Sequence, residues 1–262
     1  RLRRTDPPLA RKGISTGFDK SSMAAPAHYG NDRLFVYLRL DGEDNNELDT
    51  AMTAIESSGQ PVVRLGLRDV FDIGAEFFRW EMATAVAGSI LGINPFDQPN
   101  VQAAKGMTEN VLEQYESAGE LPAMEDPGSI KDLLNMVGPG DYLAIMAYVP
   151  QTPELDLALD RLRHKITERH GIATTMGYGP RFLHSTGQLH KGGPSSGLFL
   201  QFTADHPKDI DIPGTPFTFG VLADAQAVGD LRALKSSNRR AIRVNLGSDF
   251  EGAILRLLDE MS

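Results

Sequence analysis

The residues best suited to chemistry lie in two stretches, of which the first is 88–105. Here Gln98 is followed seven residues later by Lys105, and Pro99 favours the start of a helix between them. At a rise of 1.5 Å per residue, the lysine lies about two turns along that helix and can reach back toward its start. Asp97 is a suitable capping residue, and the free N–H groups of a helix start favour an anion. The stretch therefore predicts an anion-binding helix start with an ammonium group nearby.

The second stretch, 177–197, combines two imidazoles, two cations, four serine or threonine hydroxyls and many glycines in what we interpret as an irregular loop. Glycines let backbone N–H groups approach a ligand, hydroxyls add donors, and histidine is the side chain best suited to proton transfer near neutral pH. The alternative is a tight loop whose histidines only hydrogen-bond the backbone. The six-residue spacing of the two histidines is not that of a metal site. The candidates are His184 and His190 for catalysis, and Ser185, Thr186 and Lys191 for binding.

Composition excludes several classes of function. The 262 residues have a formal net charge of −9, which argues against general nucleic-acid binding because a phosphate backbone requires a basic surface. The absence of cysteine excludes disulfides, thiol catalysis and cysteine metal sites. No apolar run approaches the roughly 18 to 20 residues that span a bilayer. We therefore expect no membrane partner and a cytoplasmic location.

The order of elements predicts an α/β protein. Apolar strands alternate with amphipathic helices throughout, which is typical of a parallel sheet covered on both faces. The predicted strands are 33–40, 60–67, 141–149, 197–204 and 240–246; the main predicted helices are 47–58, 77–91, 107–119, 153–169, 226–234 and 251–260. The strand Leu34–Asp41 resembles Leu198–Asp205, which suggests two related halves.

The 88–105 stretch resembles the C-terminal signature of phosphoglucose (glucose-6-phosphate) isomerases. It has the small residue, the apolar pair, the aromatic–Asp–Gln run and the closing lysine, and it departs at Asn100, where Gly is usual, and at Gln102, where Glu is usual. With the 34–40 strand, the 74–81 helix start and the second stretch, roughly residues 30 to 250 resemble the C-terminal part of bifunctional transaldolase/phosphoglucose isomerase proteins.

This resemblance implies a fold and a division of the chain. The fold is a flavodoxin-like three-layer sandwich of the sugar-isomerase (SIS) type. Residues 1–30 are then a linker or a remnant of an upstream element, 31–110 the C-terminal part of the isomerase SIS domain, and 111–262 a second SIS-like α/β domain.

The resemblance also implies isomerisation of glucose 6-phosphate and fructose 6-phosphate without metal or other cofactor. Gln98 would contact the phosphate end of the substrate, and Lys105 would assist ring opening. A histidine shares that task in the family, for which His184 and His190 are both candidates. Ser185, Thr186 and Lys191 would contribute further substrate contacts.

The catalytic glutamate is missing. In the family it lies in a Glu-Ser-Asn/Thr-Gly-Lys motif, which residues 1–33 lack, while Glu76 and Glu81 are interpreted as helix residues pairing with neighbours such as Arg79. Three alternatives therefore stand: part of an isomerase that needs upstream isomerase and transaldolase domains, a sugar-phosphate-binding module without turnover, or a structural half that forms oligomers, including homo-oligomers.

Overall fold

A computed structural model describes residues 25–31, 33–122 and 128–260. Most of the predicted linker at 1–30 lies outside these residues. The chain divides into two compact units, the first ending at Asp97 and the second beginning at Gln98. The 88–105 stretch therefore has its first part in one unit and its last part in the other. The domain division at 110/111 stays a prediction.

The first unit is built from two strands and two helices. They are β1 (Phe35–Leu40), α1 (Asn46–Ser57), β2 (Val62–Leu67) and α2 (Ile73–Leu91). The strands are parallel, with Phe35 opposite Val62. Helix α1 covers one face of this sheet, and the buried cluster there consists of Phe35, Tyr37, Met52 and Ile55. The predicted strand–helix–strand–helix order is confirmed.

The second unit contains a four-stranded parallel sheet. Its elements are α3 (Pro99–Ala118), α4 (Ile130–Asn135), β3 (Tyr142–Tyr148), α5 (Pro153–His170), β4 (Ala173–Tyr178), α6 (Gly187–Gly192), β5 (Gly197–Thr203), α7 (Phe219–Ser236), β6 (Arg240–Asn245) and α8 (Phe250–Glu260). The strand order is β4-β3-β5-β6, all parallel. This is the order of the first four strands of flavodoxin-like sheets.

Helices cover both faces of this sheet. Every residue of β3 and β5 is buried, as expected for central strands that are apolar on both sides. Helices α5 and α8 pack on one face, where the stripe of α5 consists of Leu155, Leu159, Leu162 and Ile166. Helix α7 packs on the other face through Ala227 and Leu234. The predicted α/β class and three-layer arrangement are therefore confirmed.

The prediction of an irregular loop at 177–197 is wrong. The segment forms a 3-10 helix at Arg181–His184 and the short helix α6. The last carbonyl groups of a helix have no partner within the helix. At the end of α6, Arg239 donates hydrogen bonds to the carbonyl oxygens of Lys191 (2.6 Å) and Gly193 (2.5 Å). Since this arginine is distant in sequence, the local pattern gave no sign of the helix.

Within the ranges that the structure describes, no helix combines the length and apolar character needed to cross a bilayer. The cytoplasmic location stays a prediction.

Candidate functional site

The start of α3 has a different cap from the one predicted. The helix begins at Pro99 as expected, but its N-cap residue is Gln98, whose side chain makes no capping hydrogen bond. The predicted Asp97 cap is therefore wrong. The reason is that proline already provides the helical φ without an N–H to satisfy, so the first N–H that needs a partner belongs to Asn100.

That partner comes from α6. The N–H of Asn100 donates to Oε1 of Gln188 at 3.0 Å, and Nε2 of Gln188 donates back to Oδ1 of Asn100 at 2.8 Å. A side chain at Gly192 would overlap both amides, so this position must be glycine for the pair to form. Asn100, one of the two departures from the isomerase signature, thus has a specific packing role.

The paired amides also correct the expected anion site. Pro99 has no N–H, Asn100 donates to Gln188, and the N–H of Val101 donates to the carbonyl of Gln98 at 3.2 Å. The first three helical residues therefore have no free backbone donor for a phosphate. An anion at this helix start must be held mainly by side chains.

We expect Gln188→Ala to lower the free energy of unfolding by about 1 to 3 kcal/mol, because it leaves the Asn100 N–H and amide without partners. Urea denaturation followed by circular dichroism measures this. Gln102→Ala, at an exposed position of α3, is the matched control and should change stability by less than about 0.5 kcal/mol. Equal costs for the two variants would contradict the capping role of Gln188.

The two signature side chains on α3 are exposed. Gln98 is the N-cap residue and Lys105 lies about two turns further on, and both are open to solvent. An amide at the start of α3 and an ammonium group about two turns further on are therefore both open to solvent, with their backbones about 10 Å apart along the axis by the helical rise.

His184 and its neighbours lie just before α6, the helix that packs against α3. His184 and Ser185 are exposed and Thr186 is half-buried. The hydroxyls of Ser185 and Thr186 both donate to the carbonyl of Phe182, at 3.1 and 3.4 Å. Because each hydroxyl proton is already donated, these groups accept from a sugar hydroxyl more readily than they donate to a phosphate.

His190 is enclosed in the second unit. Its Nδ1 lies 3.0 Å from the hydroxyl of Tyr142, and its ring centroid is 5.1 Å from that of Phe199 and 6.2 Å from that of Phe182. Burial lowers the pKa of His190 to about 3, with a further lowering from the charge of Lys191. The imidazole is therefore neutral at physiological pH and does not face solvent.

We expect this buried imidazole to make the protein less stable in mild acid. The unfolded chain binds a proton at His190 below pH 6.5, whereas the folded chain does not until about pH 3. Folding stability present above pH 6.5 is therefore lost as the pH falls, by up to about 1.4 kcal/mol per unit. Between pH 7 and pH 5, the free energy of unfolding should fall by roughly 2 kcal/mol more in wild type than in His190→Phe. Urea denaturation of both proteins across this range measures the difference.

The difference between these slopes isolates His190, because other groups titrate in both proteins. Asp230, whose pKa burial raises, contributes with the opposite sign. His184→Phe keeps the buried imidazole and should retain the His190-dependent slope. Identical slopes for wild type and His190→Phe would show that His190 is accessible to protons in the folded state.

Lys191 is also enclosed, with its ammonium group in direct contact with the carboxylate of Asp230 on α7. Both side chains are 1% exposed. Two charges removed from water in this way are stable only as a pair. The pair joins α6 to α7 beneath the surface. The predicted substrate contacts of Lys191 and the catalytic role of His190 stay predictions of the sequence.

The structure thus separates the predicted residues into two groups. The exposed group lies in one unit, at the start of α3, along α3 and in the segment leading to α6: Gln98, Lys105, His184 and Ser185. His190 and Lys191 lie under that surface. No cluster of three or more metal-ligating side chains occurs among the residues described.

Sequence reasoning missed three residues that shape this region: Gln188, Asp230 and Arg239. A signal existed for Asp230, which lies on the apolar stripe of α7 between Ala227 and Leu234. A lone carboxylate on a buried stripe indicates a buried partner. Asn100 was visible only as a departure from the signature, and nothing in the sequence joined it to Gln188.

In the first unit, the signature glycine has a steric role. A Cβ at Gly88 would overlap the ring of Pro95, so the end of α2 and the turn after it can pack only without a side chain there. The interpretation of Glu76 as a helix residue is confirmed, since it pairs with Arg79 at 3.2 Å.

Comparisons with known proteins give short matches. A glucose-6-phosphate isomerase of Rubrobacter xylanophilus is 39% identical over 66 residues, which are 24% of this chain and 15% of the relative. Isomerases of the same name from Mycoplasma pneumoniae and Parabacteroides distasonis are 33% and 38% identical over 85 and 61 residues. These matches support a relationship to the glucose-6-phosphate isomerase family.

The chain covers a small part of these relatives, since the matched segments make up 13% to 20% of their length and 22% to 30% of this chain. No protein-family model matches. A solved structure of a hypothetical protein from Thermus thermophilus aligns over 86% of this chain and 55% of its own, at 16% identity and a TM-score of 0.41. The transaldolase fusion stays a prediction.

Proposed function

We propose that this chain is the C-terminal portion of a glucose-6-phosphate isomerase, which interconverts glucose 6-phosphate and fructose 6-phosphate by acid–base chemistry as part of a longer protein. The observation that carries the proposal is the 88–105 signature, with Gln98 exposed at the start of α3 and Lys105 exposed along it. The short matches to curated isomerases support it. Sugar phosphate is the proposed substrate, without metal or cofactor.

Gln98 is the proposed contact for the phosphate end of the substrate. Its amide N–H₂ group can donate two hydrogen bonds, and its side chain is not engaged in capping the helix. This role matters because the backbone N–H groups of the first turn are already paired. Ser185 and Thr186, whose hydroxyls already donate to the carbonyl of Phe182, are proposed to accept from sugar hydroxyls.

Lys105 and His184 are the proposed acid–base groups for ring opening. In that step the ring oxygen gains a proton as its bond to C1 breaks, and the C1 hydroxyl loses one as the carbonyl forms. Both side chains are exposed, as groups that meet a substrate must be. His184 is favoured over His190 because the latter is enclosed by aromatic rings.

A binding module without turnover is the second candidate function. It is favoured by one observation: the 262-residue sequence does not contain the Glu-Ser-Asn/Thr-Gly-Lys motif that provides the isomerising base in the family. Moving a proton between C2 and C1 requires a base within about 3 Å of that proton. We therefore assign turnover to a longer chain and only binding to these residues.

We expect this chain to bind glucose 6-phosphate with a Kd in the millimolar range, and glucose more weakly. Isothermal titration with both ligands measures the difference. Gln98→Ala should weaken binding of glucose 6-phosphate roughly tenfold, the value of one hydrogen bond to a charged group. Gln102→Ala removes an exposed amide one turn away and is the matched control.

Two outcomes would contradict this expectation. Equal titration curves for glucose and glucose 6-phosphate would remove the phosphate contact. Equal losses in Gln98→Ala and Gln102→Ala would show that no specific amide is used, leaving only a structural role for the 88–105 stretch.

A further inference from the structure

One face of the β1–β2 sheet in the first unit is open to solvent over much of its extent, although Leu67 at its end is buried. Residues on this open face are 37% to 42% exposed at Val36, Leu38 and Val63. The face is entirely aliphatic, in three registered pairs: Val36 with Val63, Leu38 with Leu65, and Leu40 with Leu67. The opposite face packs against α1. An aliphatic sheet face of this kind is normally covered by another layer.

Helix α2 in the same unit is also largely apolar and exposed, except at Glu76 and Gly88, which are buried. Its only ionisable residues are Glu76, Arg79 and Glu81. Large apolar side chains point outward around the helix, with exposed fractions between 46% and 68%: Phe77, Phe78, Trp80, Met82, Val86 and Ile90. Single exposed apolar residues are ordinary, but a contiguous set of this size marks an interaction surface.

The strands indicate what kind of structure fits there. Among the described residues, β1 and β2 pair only with each other, so each has an unpaired edge. Parallel sheets occur almost only with both faces covered and with several strands. The second unit shows this complete form, since its central strands have partners on both sides and helices above and below. The missing complement is therefore a parallel strand with a covering apolar helix.

The comparisons favour one source for this complement. In the curated isomerases the matched segment makes up no more than 20% of the chain. The remaining part of such an isomerase is large enough to add both strand and helix. A second copy of this chain is less suited to provide it, since that copy presents the same exposed surfaces. A two-fold axis normal to the sheet would also pair the edge strands antiparallel, whereas the complement is a parallel strand.

We propose that the open face and α2 form the docking surface for the remainder of an isomerase chain, which adds a strand parallel to β1 and β2 and lays an apolar helix on the open face. This proposal rests on the proposed function, because it takes the partner to be an isomerase. The open face contains no ionisable side chain, so the docked surface must be uncharged. Docking completes the sheet and buries the aliphatic pairs.

Co-expression provides the test. The probe is the Rubrobacter xylanophilus isomerase with the segment that matches this chain removed. We expect residues 1–262 to bring it into solution and to co-purify with it as a one-to-one complex on size-exclusion chromatography. Intact isomerase from the same source should not bind, because its own segment occupies the site.

Variants localise the surface. Leu38→Lys with Val63→Lys places two charges on the open face and should reduce recovery of the complex at least tenfold. Both positions are already about 40% exposed, so the unit should still fold, as circular dichroism would show. Ala54→Lys with Ser57→Lys places two charges on exposed positions of α1 and is the matched control.

Three outcomes would overturn the proposal: no rescue of the shortened isomerase by the wild-type chain, equal complex recovery with the open-face variant, or a discrete homodimer of residues 1–262 that this variant dissociates. The last outcome would assign the surface to a second copy. Gln98→Ala should form the complex normally, so loss of sugar binding with an intact complex would contradict the proposed function alone.

Discussion

Replacing Lys105 by Ala in the proposed longer isomerase is expected to lower kcat by a factor of about 100 to 10,000 and to leave KM nearly unchanged. A positioned proton donor acts mainly in the transition state, so its loss appears in the rate rather than in substrate binding. Steady-state kinetics with fructose 6-phosphate as substrate separates the two parameters. Lys131→Ala removes an exposed lysine on α4 and is the matched control.

The Lys105→Arg variant sharpens this test. Arginine keeps the positive charge but hardly releases a proton, so it should restore little of the rate. Full rescue by arginine, or a raised KM with normal kcat in Lys105→Ala, would show that Lys105 only attracts the phosphate. It would then join Gln98 as a binding residue.

The largest effect on stability is expected from Lys191→Met. This change leaves the carboxylate of Asp230 buried without its cation, at a cost of about 3 to 5 kcal/mol in the free energy of unfolding. Burial already raises the pKa of Asp230, which shows how unfavourable its charged form is in this environment. Denaturation in urea measures the loss.

The double variant Lys191→Met with Asp230→Leu should recover most of that loss, since both charges are then absent and apolar groups fill the space. A double variant as unstable as the single one would mean that the methionine packs poorly, and that the ion pair is not the cause. Lys165→Met, whose lysine donates to the carbonyl of Leu258, controls for loss of a less buried lysine.

The sequence predicted the sheet better than it predicted the site. Strands β3 and β5 are long apolar runs, and α5 has leucines at helical spacing before a terminal glycine, so local pattern and final structure agree. Helix α6 could not be found this way. It has six residues, begins and ends with glycine, and depends on Arg239 from a distant part of the chain.

The burial of the candidate residues could not be predicted from the sequence. His184 and His190 look equivalent in sequence, yet one is exposed and the other lies among three aromatic rings from β3, β5 and the 3-10 helix. Lys191 has the composition of a surface residue, and only Asp230 on another helix explains its burial. Such differences depend on tertiary contacts, which neighbouring residues in the sequence do not report.

The pairing of Gln188 with Asn100 limits how this region can change during evolution. The two amides depend on each other, and Gly192 must stay small while both are present. A lineage that acquires glycine at position 100, as the isomerase signature usually has, loses the reason to keep glutamine at 188 and glycine at 192. The three positions should therefore be substituted together, and their joint variation among homologues would date the appearance of this helix cap.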